Sequence, residues 1–410
     1  MSQPIPPGSV QHQASGKKYT FAPRMAKTPK SFIREILKVT EDPRIISFAG
    51  GLPNPALIDV ENIASAAASV LAKDGQAALQ YSTTEGYRPL RQFIAERYKK
   101  RLGLDMSPDE ILITNGSQQC LDLLGKVFIN AGDHIAIERP GYLGAIQAFS
   151  VYEPRFHPIN LYEDGPDPAQ LAHTTGNYPI RFFYGIPNSQ NPSGITYSNE
   201  RREEIAGILE KTSTLFIEDD AYGELNFDGK SLPSLREFIP GQTIITGSFS
   251  KILAPGMRMG WVVAPMEIME QLVVAKQASD LHSNYLSQRI AYEYLQNQDI
   301  DAHIRKIRAA YRNQRDIMLK SMQEFFPDTV SFTHPLGGMF IWVTLPEGIS
   351  SMEVFNAAIK ENVAVLPGSP FYVDGGGGNT LRINFSNSTD EKIRTGIERL
   401  ATVIKKQSPA

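Results

Sequence analysis

The chain has 410 residues, 41% hydrophobic and 21% charged, which is too long for one small core and suits an enzyme of two domains. A formal net charge of −3 gives no overall electrostatic reason to bind nucleic acid or a membrane surface, and no apolar stretch approaches the ~20 residues a spanning helix needs. The single cysteine, Cys120, excludes an internal disulfide framework and fits a reducing, cytoplasmic compartment; followed by Leu121-Asp122-Leu123-Leu124, it reads as a packing residue.

Residues 1–16 are polar, with Pro, Gly and Ser and no apolar core of a secretory signal. Lys17, Lys18, Arg24, Lys27, Lys30 and Arg34 all precede the first acidic residue, Glu35, and form a basic arm. Beyond it, apolar runs alternate with amphipathic helical stretches. Four runs predict strands: Glu110–Thr114, Arg181–Ile186, Thr214–Glu218 and Thr243–Thr246, with a helix over Arg201–Leu209. Apolar runs without alternation indicate strands covered on both faces, hence a parallel or mixed sheet. Asp301–Phe326 predicts a long charged amphipathic helix, followed by strands at Gly338–Val343 and Thr380–Phe385. The expected fold is α/β: a large domain over 55–300, its mixed, mostly parallel sheet covered by helices, and a smaller α+β domain built from 17–54 with 301–410.

Each of the four strands ends in a polar cluster, and open α/β sheets bind ligands beyond the carboxyl ends of their strands. Thr114-Asn115-Gly116-Ser117-Gln118-Gln119 opens a helix, as a phosphate cradle or as a plain N-cap. Pro187-Asn188-Ser189-Gln190-Asn191-Pro192-Ser193-Gly194 is rich in turn formers. Asp219-Asp220-Ala221-Tyr222 puts carboxylates at the mouth of a buried strand, which is costly unless one meets a cation. Ser248-Phe249-Ser250-Lys251 is followed seven residues on by Arg258. Together these fit a pyridine aldehyde bound as an imine. That group needs a lysine able to deprotonate, a carboxylate for the ring nitrogen, neutral donors for the phenolic oxygen, and a helix start with a cation for the phosphate. Seven scattered histidines give no metal spacing, and no metal is expected.

The ordered set Asn191-Pro192-x-Gly194, Asp219-x-Ala221-Tyr222 and Ser248-x-x-Lys251 with Arg258 resembles the fold-type I, class I/II aminotransferases. The segments Phe48-Ala49-Gly50-Gly51-Leu52-Pro53, Leu79-Gln80-Tyr81-Ser82, Gly116-Ser117-Gln118-Gln119, Gly247-Ser248-Phe249-Ser250-Lys251 and Gly337-Gly338-Met339-Phe340 make it most similar to the 2-aminoadipate and kynurenine branch, over about residues 24–400.

The resemblance implies the fold of pyridoxal-phosphate-dependent transferases, with Lys251 holding the cofactor as a Schiff base and then shuttling the Cα proton. Asp219 is expected to pair with the pyridinium nitrogen, Asn191 and Tyr222 to bond the phenolic oxygen, and Tyr142 to stack on the ring. Ser117, Gln118, Ser248 and Arg258 are expected to hold the phosphate. Tyr81 is expected to reach the phosphate of the neighbouring subunit, which implies a homodimer. Arg382 is expected to grip the substrate α-carboxylate with both ends of its guanidinium, beside Gly51 and Asn191, and Arg24 to read a distal carboxylate. The implied reaction moves the amino group of a 2-aminoadipate, aromatic or branched-chain amino acid to 2-oxoglutarate by a ping-pong route. The alternatives are a lyase or decarboxylase on the same fold, or the effector domain of a transcription regulator; the latter is not expected, because only about 20 residues precede the matched region.

Overall fold

The computed structural model describes residues 19–27 and 42–407. After the short β1 (Ile46–Ser47), eight strands form the large sheet: β2 (Ile111–Thr114), β3 (His134–Arg139), β4 (Arg155–Tyr162), β5 (Gly165–Pro166), β6 (Ile180–Gly185), β7 (Leu215–Asp219), β8 (Thr243–Ser248) and β9 (Gly260–Val263). Their spatial order is β2-β9-β8-β7-β6-β3-β4-β5. From β4 through β3, β6 and β7 to β8 the ladders are parallel, while β9 runs antiparallel to both its neighbours and β5 to β4.

The mixed, mostly parallel sheet expected from the unbroken apolar runs is present, and β2, β8 and β9 are buried at every residue. Predicted strand ends move by one or two residues. The largest consequence is at β7, which runs on to Asp219 and pairs it with Thr246 of β8, so the carboxylate belongs to the ladder itself. The sequence reading passed over β3, β4 and β9. β3 is polar at both ends, and β4 contains Pro158, which the short β5, pairing only with Leu161 and Tyr162, leaves without a ladder partner on that side.

The crossover helices start on side-chain caps. Asp167 accepts from the Gln170 N–H ahead of the Pro168–Asn177 helix, and Ser198 from the Arg201 N–H ahead of Asn199–Leu209. Each such cap stabilises a helix by about 1 kcal/mol. Cys120 is fully buried beside Thr114, the packing role expected of it.

The C-terminal part adds β10 (Ser331–Phe332), β11 (Phe340–Thr344), β12 (Val363–Ala364), β13 (Leu366–Pro367) and β14 (Thr380–Asn384). An antiparallel sheet forms in the order β10-β11-β14-β13, and β1 pairs in parallel with β12, so the N-terminal segment joins this part. The predicted long helix spans Ile300–Phe325, capped by Asp299, and packs on the Asp390–Gln407 helix. The strand expected from Gly338 begins only at Phe340. Gly337 and Gly338 instead turn tightly against the large sheet's loops: a Cβ on Gly337 would lie 2.6 Å from the Leu225 carbonyl, and Gly338 has φ +69°. Among the described residues no helix is long and apolar enough to cross a membrane. Lys17, Lys18, Lys30 and Arg34 lie outside the described residues.

Candidate active site

The carboxyl ends of β6, β7 and β8 meet β11, β14 and Gly51 around a cavity of about 290 Å³. Every residue expected at the site except Tyr81 and Arg24 lines it: Gly51, Ser117, Gln118, Tyr142, Asn191, Asp219, Tyr222, Ser248, Lys251, Arg258 and Arg382. Ile186, Ala221, Ser250, Pro255 and Phe340, to which the sequence reading gave no role, complete the lining.

Asp219 forms the floor and is 4% exposed. From the neighbouring β6, the Tyr184 hydroxyl donates to its Oδ2 at 2.6 Å, while Oδ1 is buried with no partner in hydrogen-bond geometry, the nearby Thr246 hydroxyl included. Burial pushes this carboxyl up to about 6, against the downward pull of the Tyr184 hydroxyl. A desolvated carboxylate oxygen without a donor is costly, so this one calls for a cationic N–H from within the cavity. Tyr184 is a residue the sequence reading missed; the available signal was a tyrosine directly after the apolar Phe182 and Phe183, whose buried hydroxyl must find a partner.

Lys251 follows β8 by three residues and donates from Nζ to the Gly51 carbonyl at 2.9 Å. It keeps some solvent contact through the cavity. Even so, loss of bulk water, and then the charges of Arg382 and Arg258, push its ammonium down to about 8. An amine with that affinity is neutral often enough to act as nucleophile or base.

At one end the Ser117–Phe128 helix opens on Gly116 (φ +77°), with no side chain capping it. The sequence had offered Ser117 as a cap; it is instead the first helical residue, which leaves the helix start open to an anion. A Cβ on Gly116 would fall 2.5 Å from Arg258 Nη2, and one on Gly260 would fall 2.6 Å from the Ser117 nitrogen. Glycine at both places lets arginine and helix start close on one spot. The Arg258 guanidinium reaches the Pro255 and Asn115 carbonyls only at 3.4 Å. Tyr142 precedes the Leu143–Ser150 helix, where Gly144 makes room for its ring. Burial raises the Tyr142 hydroxyl to about 12 and raises that of Tyr222 as well.

At the other end Arg382 lies mid-β14, 2% exposed, with Phe340 4.3 Å and Phe371 5.4 Å from its guanidinium carbon. Nη1 donates to Asn191 Oδ1 at 2.9 Å and Nη2 to the Ala49 carbonyl at 2.7 Å, while Nε is buried without a partner. Among the described residues no carboxylate pairs with it, and burial lowers it to about 10. A buried guanidinium lacking a counter-anion suits an incoming carboxylate. With Oδ1 taken by Arg382, Asn191 donates through its NH₂, which lies beside the Tyr222 hydroxyl.

Tyr81 and Arg24 stand apart. Tyr81 is 79% exposed, its ring edge-on to His282 at 5.8 Å. Arg24, exposed on the Pro23–Lys27 helix, bears electrostatically on Tyr152, whose hydroxyl donates to Asp122. The neighbouring segment Ser31–Glu35 falls outside the described residues.

Residues 47–400 match the family model described as aminotransferase class I and II. The aromatic-amino-acid aminotransferase 1 of Thermococcus litoralis is 42% identical over 393 residues, 94% of either chain. The crystal structure of the α-aminoadipate aminotransferase of Thermus thermophilus, complexed with N-(5'-phosphopyridoxyl)-L-leucine, superposes with a TM-score of 0.89 at 41% identity, covering 94% of this chain and 97% of that one. For the Pyrococcus horikoshii kynurenine aminotransferase the TM-score is 0.90 at 40% identity, with 95% and 98% covered.

Proposed function

The chain belongs to the class I and II aminotransferases, and from that premise we propose that it moves the amino group of 2-aminoadipate, an aromatic or a branched-chain amino acid to 2-oxoglutarate, in two half-reactions at one site. The enzyme is an aminotransferase and its cofactor is pyridoxal phosphate. One observation carries the site reading: the partnerless Asp219 Oδ1 shares a cavity with the depressed Lys251 amine and with Arg382, whose Nε is also without a partner. These residues fit the ring nitrogen, aldehyde and substrate carboxylate that such chemistry brings together.

When bound, pyridoxal phosphate supplies a protonated ring that draws charge from the Cα of an attached amino acid. In this reading Asp219 Oδ1 holds the ring N–H in place. Asn191 and Tyr222 donate to the phenolic oxygen, and Tyr142 lies against the ring. Ser117, Gln118, Ser248 and Arg258 anchor the phosphate at the helix start, which fixes where the ring can lie. Arg382 takes the α-carboxylate beside Gly51 and Asn191 and so aims Cα. Lys251 Nζ, neutral above about pH 8, accepts the Cα proton and hands it on.

The same proposal makes the working unit a cytoplasmic homodimer, with Tyr81 completing the partner's phosphate site. Support comes from the exposure of Tyr81 outside its own cavity, beside the exposed apolar Leu79 and Leu281. It also keeps the division into 55–300 and 17–54 with 301–410, which the β1–β12 pairing supports. The test is an absorbance spectrum of the purified protein before and after 2-aminoadipate is added without any oxo acid. Conversion of the yellow form to the amine-bearing cofactor, with a 2-oxo acid in the mixture, is the expected result. Release of carbon dioxide or ammonia instead would replace transfer by decarboxylation or lyase chemistry.

A further inference from the structure

Two charged side chains that do not line the cavity are buried on either side of the loop that delivers Asn191. Glu138, near the end of β3, is 1% exposed, and Arg202, on the Asn199–Leu209 helix, is fully buried. Neither forms an ion pair among the described residues. Each directs its hydrogen bonds chiefly to the loop between β6 and that helix. Glu138 accepts from the Ile186 N–H at 3.0 Å, from Gln190 Nε2 at 2.9 Å and from the Tyr197 hydroxyl. Arg202 donates to the carbonyls of Pro187 (2.8 Å) and Tyr197 (3.2 Å) and to Asn188 Oδ1 (2.7 Å), with a fourth bond to the Pro233 carbonyl (2.7 Å).

These bonds lead to the site. Gln190, held by Glu138 and by the Pro140 carbonyl, accepts from the Ser193 N–H on its Oε1 at 2.7 Å and from the Gly194 N–H on its own carbonyl at 2.6 Å, so its bonds bracket Asn191. Asn188, held by Arg202, donates to Asp220 Oδ1 at 2.7 Å, next in chain to Asp219. Tyr197 joins the two charges, with its hydroxyl on Glu138 and its carbonyl on Arg202. The loop needs such restraint, because Ser189 (φ +49°) and Gly194 (φ +74°) hold left-handed backbone on either side of Asn191.

We propose that Glu138 and Arg202 are positioning residues that clamp this loop from both sides and set the direction in which the Asn191 amide donates into the cavity. The proposal rests on the reading of Asn191 as a donor to the cofactor's phenolic oxygen. Burying an ionisable group is costly: it pushes the Glu138 carboxyl up to about 7, and no ion pair among the described residues offsets the cost for either side chain. Charges whose hydrogen bonds go mainly to one loop therefore point to orientation as their task. Charge-assisted hydrogen bonds are short and directional, and they suit it.

The experiment compares the pH titration of the bound cofactor's visible band in wild type, Asn191→Ala, Glu138→Gln, Arg202→Met and the pairwise combinations with Asn191→Ala. Loss of a donor to the phenolic oxygen raises the titration midpoint, and one hydrogen bond to that oxygen in its charged form corresponds to about one to two units. The clamp predicts that Glu138→Gln and Arg202→Met each raise the midpoint toward the Asn191→Ala value, and that adding either to Asn191→Ala raises it no further. Arg202→Lys, which keeps the charge but loses the fork, serves if Arg202→Met does not fold and should shift the midpoint the same way. Clamp variants that melt earlier but titrate like wild type, or whose shifts simply add to that of Asn191→Ala, overturn the clamp alone. A wild-type midpoint in Asn191→Ala overturns the reading of Asn191 and the clamp with it.

Discussion

At one end of the cavity Arg382 is 2% exposed, bonded to Asn191 and Ala49 and stacked between Phe340 and Phe371; at the other, Arg258 is exposed and reaches two carbonyls only at 3.4 Å. Burying a charge costs several kcal/mol but fixes its direction. An exposed charge beside an uncapped helix start costs little and keeps its hydrogen bonds for an arriving anion. The protein thus spends rigidity where a reacting carbon has to be aimed, and leaves the anchoring end to be completed by what binds there.

The sharpest way to break that contrast is Arg382→Leu. Under the proposed role it lowers kcat/KM by about 100- to 1000-fold, the scale of losing a buried charged hydrogen-bond pair. It also lowers the melting temperature, because Asn191 Oδ1 and the Ala49 carbonyl lose their donor. Steady-state kinetics and a melt read both; a loss below tenfold with an unchanged melt would show that the arginine orients nothing.

Arg258→Gln should behave differently. The dissociation constant for pyridoxal phosphate rises about 10- to 100-fold, as for hydrogen bonds to a charged group, while the apoprotein melts as wild type. Fluorescence titration of the apoprotein measures the first and calorimetry the second. A melting loss as large as that of Arg382→Leu would erase the distinction between the two ends.

Lys251 stands between them and feels both. Its pKa is lowered from 10.5 to about 8, by burial first and by the two arginines next, so the neutral amine prevails only above about pH 8. Reconstitution of apoprotein with pyridoxal phosphate should quicken about tenfold per pH unit below that point and level off above it. A rate still climbing between pH 9 and 10 would mean that Lys251 titrates as an ordinary lysine. In Arg382→Leu the plateau should begin at higher pH, since one of the charges that depress the amine is gone.

What the sequence made legible follows from the same geometry. The polar clusters after β2, β6, β7 and β8 could be read because each is contiguous and follows an apolar run; parallel ladders bring the ends of β6, β7 and β8 to one edge, and β2, antiparallel to β9 as β8 is, runs the same way. The environment of Arg382 was not legible. Its two acceptors are 191 and 333 residues away in sequence, and its flanking phenylalanines come from β11 and from the turn at Ser369–Phe371. The same holds for Tyr184 on Asp219 and for Glu138 and Arg202 around the Asn191 loop: each looks like an ordinary strand or helix residue until the chain is folded. Local pattern reveals which chemical groups stand at strand ends, while the contacts that set their charge and direction are made by distant segments.

The smallest effect expected concerns Arg24, and it tests whether the N-terminal arm belongs to the aimed end or to neither. In the single chain Arg24 is exposed, bears on Tyr152 and does not line the cavity, so its proposed reading of a distal carboxylate requires the arm to shift or a second subunit to present it. A charge pair formed in such a solvated place is worth at most ~1 kcal/mol. Arg24→Gln should therefore raise KM for 2-aminoadipate by no more than about fivefold, with kcat little changed and tyrosine unaffected. Raising ionic strength should shrink the wild-type advantage for the acidic substrate, because an exposed pair is screened. If Arg24→Gln slows both substrates equally, the arginine supports the arm's fold and reads no carboxylate. If neither changes, Arg24 reads no carboxylate, and selection of an acidic side chain lies with other residues than Arg24 and the α-carboxylate-binding Arg382.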